Sequence, residues 1–499
     1  MTAEMWDVVI VGAGLSGLSA AHLLRKRDAE LRILILEGKD RVGGRTLSTE
    51  IPAANGVERW DFGGQWVGST QRHILELIKE LGLEVFPQFN IGKKVYHIGG
   101  PDARVRTYRT SIPTLSLVVL IDFIQFLWKI DRLCATVCVQ DPSKTPNAVE
   151  LDSMTLHSYI EQHSWTAGQG SKYFYVGGTQ QLSECLAERV GWKNVRLGSA
   201  VTAIWQDAEW ARVMTATATF LCRAVIVTSP PHLAAKIHYE PALPSQREFL
   251  TQNMPVGHMI KFIITYQTAF WKEKGFSGEI VTGSSTDCPF CVTFDATSPS
   301  GNAALVGFIA GQLASQWSSK EAGERRKAVL SSLVKYLGPE AASFIHYEEK
   351  DWAKEDYSGG CPVNVMAPGL LTYYHPSLRQ PCGRIHWAGT ETGTQWCGYM
   401  SGAVQAGQRA ALEVLAELCP MTLTQEEQEA VWHSQTVEAA AQQTATSKLL
   451  YLSASKVVVI ATLTISAAVF LSRHQNALLK VKMYLTNVFS TTKCNIFLR

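Results

Sequence analysis

No acidic residue follows Glu438, whereas Lys448, Lys456, Arg473, Lys480, Lys482, Lys493 and Arg499 all lie beyond it. Taking those seven from the 46 lysines and arginines leaves 39 against 44 acidic groups before that point, a net charge of −5. An acidic body with a basic, apolar tail does not suggest a nucleic-acid binder and suggests a membrane-directed C-terminus. No secretory signal precedes the apolar strand that starts by Trp6, and the 11 cysteines are an odd, scattered set without a disulfide framework. Reduced thiols and a cytosol-facing body are therefore expected. Cys288 and Cys291 form a CxxC without a second ligand pair, so no metal is expected. There is no defensible Ser/His/Asp constellation either. At 499 residues, 46% apolar and 18% charged, the chain is long and ordinary enough to fold as two or more domains.

What is present begins with "WDVVIVGAGLSGLSAAHLL". Val8 to Val11 reads as a buried parallel strand, and Gly12, Gly14 and Gly17 follow as GxGxxG around Ser16 before an apolar helical face. The spacing predicts a dinucleotide turn. It needs glycine for the tight turn, for close approach to a pyrophosphate and for helix–strand packing, with the helix N-terminus facing the phosphate. A second strand, "LRILILE", ends at Glu37, where a carboxylate can bind ribose hydroxyls. "KDRVGGRT", Lys39 to Thr46, is another glycine turn, with Gly44 between Arg41 and Arg45, and "DFGGQWVG" adds a third around Gly64. Near the other end, "GRIHWAGTETGTQWCGYMSGAVQAGQRAALEVL" runs from a short strand through Gly389 and Glu391 into a helix of small residues.

These stretches, with "HYEEKDWAKEDYSGGC", "YVGGTQQLSE" and "LRQP", resemble the monoamine oxidases of the FAD-dependent amine oxidase superfamily across most of residues 5–420. The resemblance implies an α/β, Rossmann-like FAD-binding domain plus an α+β substrate domain. It implies that Arg41 and Arg45 give charge to the pyrophosphate, that the backbone of Val201 holds the adenine, and that Glu391 meets the ribityl or pyrophosphate region. Lys39 and Gly64 join the cofactor-binding set. Cys361, in SGGC, is implied as the covalent FAD anchor through an 8α-S-thioether; a buried structural cysteine is the other reading. Lys261, in the apolar "HMIKFIITY", matches a lysine that holds a water at the flavin, against a lysine snorkelling from an edge strand. Trp352 matches a tryptophan behind the flavin. Tyr399 matches one of two tyrosines that sandwich the substrate amine, against a core tyrosine.

Two departures stand out. The second cage tyrosine is replaced by Pro362, with Trp66 or Tyr373 as candidates to compensate, and this is compatible with a diamine- or tyramine-handling branch. After "YIEQHSWT" a block of the substrate domain is absent, which predicts a more open cavity. "IPTLSLVVLIDFIQFLWKIDRLCATV", Ile112 to Val137, reads as a substrate-domain helix interrupted by Asp122, Lys129 and Asp131.

The expected organisation is a discontinuous FAD-binding domain (1–85, 171–255 and 356–420), a substrate domain (86–170 and 256–355), a polar helical connector (421–448), a C-terminal transmembrane anchor (449–473) and a basic tail (474–499). The anchor rests on the uncharged run Val457–Leu471, extended to about 20 residues by Leu449–Leu452; a peripheral amphipathic helix is the alternative. Together with the resemblance it implies a mitochondrial outer-membrane location, with a lipid-bilayer partner. The assembly state is open between monomer and homodimer. The expected reaction is oxidation of an amine to an imine and then an aldehyde, with dioxygen reoxidising the flavin to give hydrogen peroxide. The rivals are a polyamine, diamine or amino-acid oxidase of the same superfamily, and a flavoprotein with little turnover.

Overall fold

The apolar run near the N-terminus becomes β1 (Glu4–Val11), buried throughout from Val8 to Val11. Val8 and Ile10 pack into the cluster that includes helix α1 (Leu15–Arg27), while Val9 and Val11 pack into a separate cluster. A strand covered on both faces has no polar side to alternate with, which is why it reads as a continuous apolar run. The computed structural model describes residues 4–432 apart from 101, 111–116, 140, 164–176, 179, 284 and 286.

β1 pairs in parallel with β2 (Ile33–Leu36) on one side and β3 (Thr219–Val227) on the other. The C-terminal half of β3 pairs in parallel with β4 (Ile385–Trp387), Val225 opposite Ile385. Strands 211–215, 201–206 and 238–240 continue the sheet beyond β3, and 195–196 closes it beyond β2. Backbone bonds link Gly12 to Leu36, Thr228 to Val11 and Ala388 to Val227, so the carboxyl ends of the four parallel strands lie together. That edge is where an open α/β sheet binds its ligand.

A second sheet holds strands 344–351, 259–266, 303–310, 292–295, 276–282, 93–97 and 106–108, in that order. Its core is aromatic and aliphatic, built on Phe262, Ile264, Tyr266, Trp271 and Phe290. Strand Met259–Tyr266 is the second from one edge, between 303–310 and 344–351, and it places Lys261 inside the molecule.

Helix α2 (Met400–Leu418) crosses α1 at very short range. A Cβ on Gly407 would lie 2.1 Å from the Ser16 carbonyl oxygen, so only glycine lets the helices meet there. At its other end α2 holds His386 of β4. That imidazole is fully buried, with Nδ1 3.1 Å from Glu413 and Nε2 3.4 Å from Glu417. Burial alone would lower its pKa, but the Glu413 and Glu417 carboxylates beside the ring push it up to about 9.

The expected C-terminal transmembrane helix is corrected: among the described residues, no helix is long and apolar enough to cross a membrane. Leu117–Thr136, the most apolar long helix, is cut by Asp122, Lys129 and Asp131. Residues 449–473 lie outside the described residues, and their run is diluted by Ser453, Ser455, Thr462, Thr464 and Ser466. The junction after Thr166, where a shortened substrate domain is expected, and most of the 421–448 connector also lie outside them.

Gly407→Ala forces the helices apart and is expected to cost about 1–3 kcal/mol in denaturant unfolding. The His386 pKa is raised in the fold, so its stabilisation is complete below pH 6.5 and lost as pH rises through about 9. Melting temperature measured from pH 6 to 10 is expected to fall on the alkaline side, and more shallowly in His386→Gln.

Candidate active site

The glycine turns stack on one another at the carboxyl edge of the parallel strands. Gly43 N–H bonds the Ala13 carbonyl at 2.9 Å, Gly64 N–H the Arg45 carbonyl at 3.1 Å, and Gly389 N–H the Ser16 Oγ at 2.9 Å. Gly12 sits at φ +107°, and a Cβ there would lie 2.6 Å from Thr228 Oγ1. Gly17 is equally constrained, since its Cβ would meet the Gly12 carbonyl oxygen. Helix α1 begins after Gly14 with no side-chain cap and no acidic residue in its first turn. Its dipole and free N–H groups are thus left for an anion from outside the chain. Helix α2, capped by Tyr399, likewise has neither.

Glu37 ends β2 with its carboxylate seated by the Ala13 N–H at 2.7 Å and the Lys39 N–H at 3.0 Å. Ser199 and Gly198 N–H groups bond the carbonyls of Glu37 and Lys39, which brings the start of strand Val201–Gln206 to the same place. Gly12, Gly14, Ser16, Gly17, Glu37, Gly44, Val201 and Gly389 therefore form one cradle. It has open backbone, an uncapped helix and a terminal carboxylate, the donor set that a dinucleotide needs.

The cationic residues of the second turn bond carboxylates and carbonyls of the chain itself. Lys39 Nζ donates to Glu355 at 2.7 Å and Ser358 Oγ at 3.0 Å. Arg41 donates to Glu355 at 2.7 Å and to the carbonyls of Val42, Gly44 and Thr46. Arg41 thus shapes its own turn. Lys350 also bonds Glu355. Burial would raise the Glu355 carboxyl, but the three cations pull it down to about 2. Glu355 escaped sequence reasoning because its partners are scattered over positions 39, 41 and 350; the one available signal is its place just ahead of SGGC.

Arg45 grips Glu391 with two bonds, 2.6 and 3.0 Å, and donates to the Pro362 carbonyl at 2.9 Å. Glu391 also accepts the Asn364 N–H at 3.1 Å. Burial works against its charge, yet Arg45 keeps its carboxyl below the usual range. The expected contact of Glu391 with a cofactor is accordingly preceded by a clamp on the Cys361 loop. Asn364 in turn holds the Met254 carbonyl and His232.

Cys361 is buried, its N–H bonded to the Gly257 carbonyl at 2.9 Å. The glycines ahead of it serve chain packing: a Cβ on Gly360 would strike the Gly257 oxygen at 2.4 Å, and one on Gly359 would meet His232 Nε2 at 3.0 Å. Burial pushes the thiol up to about 12 against the pull of Arg45 and Lys261. Burial thus works against the thiolate, and the two cations work for it.

Lys261 reaches this centre from the second sheet. Its Nζ donates to Gln65 Oε1 at 2.7 Å and the Gly63 carbonyl at 3.1 Å, with the Trp66 and Phe308 rings each 5.5 Å away. Phe294 packs edge-on against Trp66 at 5.4 Å and completes an aromatic wall. Trp352 is buried, its indole N–H bonded to the Phe62 carbonyl at 2.9 Å and its ring 5.9 Å from Lys39 Nζ. Tyr399 stands edge-on to Trp396 at 5.3 Å. The neighbouring Gly398 packs against Val363, two residues past Cys361. Of the residues considered as replacements for the second cage tyrosine, Trp66 stands beside Lys261, while Tyr373 lies in the short helix Leu371–Tyr374.

Arg45→Met strands the Glu391 carboxylate without its partner. It is expected to cost about 3–5 kcal/mol in denaturant unfolding and to abolish flavin retention in gel filtration. Arg45→Lys, which keeps the charge without the two-pronged grip, is expected to fall between it and the wild type.

The profile of the flavin containing amine oxidoreductase family matches residues 15–115 and 130–415. The flavin-containing amine oxidase A of Bos taurus is 36% identical over 463 residues, covering 83% of this chain and 86% of that protein. A probable flavin-containing monoamine oxidase A of Dictyostelium discoideum is 35% identical over 461 residues, covering 83% of this chain and 98% of that protein. Among solved structures, cyclohexylamine oxidase from Brevibacterium oxydans superposes with TM-score 0.75 at 30% identity, covering 83% of this chain and 99% of that one. Putrescine oxidase bound to putrescine gives 0.76 at 29%, covering 83% and 100%. With a cradle for a dinucleotide, a buried lysine and an aromatic wall in one place, the chain belongs to the flavin-containing amine oxidases and is an FAD-dependent amine-oxidising enzyme.

Proposed function

We propose that the substrates are primary monoamines with an apolar body, released as aldehydes with hydrogen peroxide, and that FAD is carried on Cys361 as an 8α-S-thioether. The observation that carries this reading is the placement of the Lys261 amine against Trp66, Phe308 and Phe294. Such a wall takes an aryl or alkyl group and offers no anion to a second ammonium, which speaks for a monoamine over a diamine. Bound FAD supplies the two-electron acceptor, which dioxygen regenerates.

The chain's own residues do the rest. The α1 N-terminus, Gly14 and Gly44 receive the phosphates, and Glu37 the ribose. Arg45 and Glu391 hold the Cys361 loop, and Trp352 backs it. Tyr399 and Trp66 exclude water and present aromatic faces to the amine, favouring it electrostatically. Lys261 stands ready to exchange a proton at Nζ.

A low-turnover flavoprotein is the second reading. It is favoured by apolar side chains of Leu117–Thr136 on the surface, with Trp128 65% and Ile121 50% exposed. Such surface is uncommon on a substrate domain with all its helices in place.

Acid precipitation of the purified protein is expected to leave the yellow chromophore in the pellet and on the Cys361 peptide, and Cys361→Ser to release it. Peroxide assays at saturating substrate are expected to favour tyramine over spermine or putrescine by at least about tenfold in kcat/KM, since one lost or mismatched polar contact costs that much. Retained flavin with no amine-dependent peroxide would select the low-turnover reading.

A further inference from the structure

Three residues other than glycine hold a positive φ among the described residues: Asn147, Tyr357 and Trp396. Asparagine tolerates that conformation, whereas a bulky aromatic residue is strained by it. Such strain persists only where the surrounding structure over-determines it, and it gathers at functional sites. Tyr357 stands shortly ahead of Cys361, and Trp396 shortly ahead of Tyr399.

The turn that contains Trp396, at φ +54°, is fastened at both ends. At its start the Thr394 N–H bonds Gln405 Oε1 at 3.0 Å, and Gln405 Nε2 donates back to Thr394 Oγ1 at 2.6 Å. At its end the Tyr399 N–H bonds the Trp396 carbonyl at 3.0 Å, and the Tyr399 carbonyl accepts from Thr390 Oγ1 at 2.8 Å. A Cβ on Gly402 would lie 2.3 Å from the Trp396 carbonyl oxygen, so the turn rests directly on the first turn of α2. Gly398, at φ +84°, packs on Val363 beyond Cys361. These contacts fix the Tyr399 backbone but not its ring. The Trp396 ring meets that ring edge-on, with centroids 5.3 Å apart and 82° between the planes.

None of the backbone contacts uses the indole. A glycine at position 396 would keep them all and carry no strain. The part that glycine would remove is the ring that touches Tyr399. An edge-on aromatic pair returns about as much free energy as a left-handed non-glycine residue costs. Trp396 therefore contributes little to net stability, and what its contact supplies is one tilt of the Tyr399 ring.

We propose that Trp396 is a positioning residue for amine oxidation: its indole fixes the tilt at which the Tyr399 face meets the substrate amine, and the strained backbone at 396 is the cost of placing the indole there. The proposal rests on the reading of Tyr399 given above, as an aromatic face presented to the amine. A Tyr399 ring free to turn would present that face for only part of the time, and a small misplacement of a group that orients substrate is enough to slow turnover.

The test compares the holoenzymes of Trp396→Gly, Trp396→Ala and Trp396→Phe, each also in a Tyr399→Leu background, by thermal melting and by steady-state oxidation of tyramine. Glycine and alanine both remove the indole, but only glycine relieves the backbone. Trp396→Gly is therefore expected to melt about 1–2 °C above Trp396→Ala. Both are expected to lose about tenfold in kcat/KM, carried by kcat with KM little changed. Trp396→Phe, which keeps an aromatic edge, is expected to recover most of that loss. Trp396→Asn, whose side chain tolerates the same backbone, serves if the glycine variant does not fold. In the Tyr399→Leu background the same substitutions are expected to lower kcat/KM no further, because the indole acts through Tyr399. The coupling is read in the melting temperatures as well, so a Tyr399→Leu enzyme without turnover still decides the question. Wild-type kcat/KM in Trp396→Gly, an undiminished loss in the Tyr399→Leu background, or equal melting of the glycine and alanine variants would overturn the proposal. Unchanged kcat/KM in Tyr399→Leu alone is a separate result, which would overturn the reading of Tyr399 on which the proposal rests.

Discussion

The site depends on one buried ion pair. Arg45 and Glu391 come from opposite ends of the sequence, and their two bonds also fasten Pro362 and Asn364 on either side of the Cys361 loop. Taking both charges out of water costs nearly as much as their attraction returns, so the pair adds little to net stability. What it supplies is register. With the guanidinium in place the three segments have one relative position; without it, a buried carboxylate has no partner. Glu355, with its three cations, repeats the device one turn away and ties the second glycine turn to the segment that leads into Cys361.

Around that fastener the site divides into two electrostatic regimes. The first sheet contributes an edge of backbone N–H groups and two uncapped helices, an environment shaped for anions. The second sheet contributes one amine in a buried, aromatic setting, where burial outweighs every charge nearby. A phosphate-bearing cofactor and a lipophilic amine need these opposite surroundings a short distance apart. Building them from separate sheets lets each be packed for its own purpose.

What the sequence made legible follows from distance along the chain. Gly12, Gly14, Gly17 and Glu37 could be read because strand, turn, helix and strand follow one another without interruption, and the physics that joins them is local. Lys261 could be singled out because a charge in an apolar strand is conspicuous. Glu355 and Gln65 could not be, since Lys39 and Arg41, which meet Glu355, and Lys261, which meets Gln65, lie far away along the chain. The engagement of Arg41 with three carbonyls appears only once the turn is folded. The close approach of Gly257 and Val256 to Gly360, ahead of Cys361, likewise leaves no mark in the sequence. The tail was read from hydropathy alone, where hydroxyl side chains weaken the signal most.

The pairing of β3 with β4 carries a consequence for how the molecule is made. The N-terminal half of β3 is covered as soon as strand 211–215 exists, but its C-terminal half, Val225 to Val227, waits for Ile385–Trp387. During synthesis on the ribosome that open strand edge, with the Gly12 turn beside it, stays exposed while more than a hundred further residues emerge. An unpaired apolar edge of this kind is a surface on which nascent chains stick to one another. Dinucleotide bound early to the first turn would not cover it, because Gly389 and Glu391 arrive with the same late segment. Yield of the native protein in cells should therefore be governed by the interval between these two strands, a kinetic liability that the finished structure conceals.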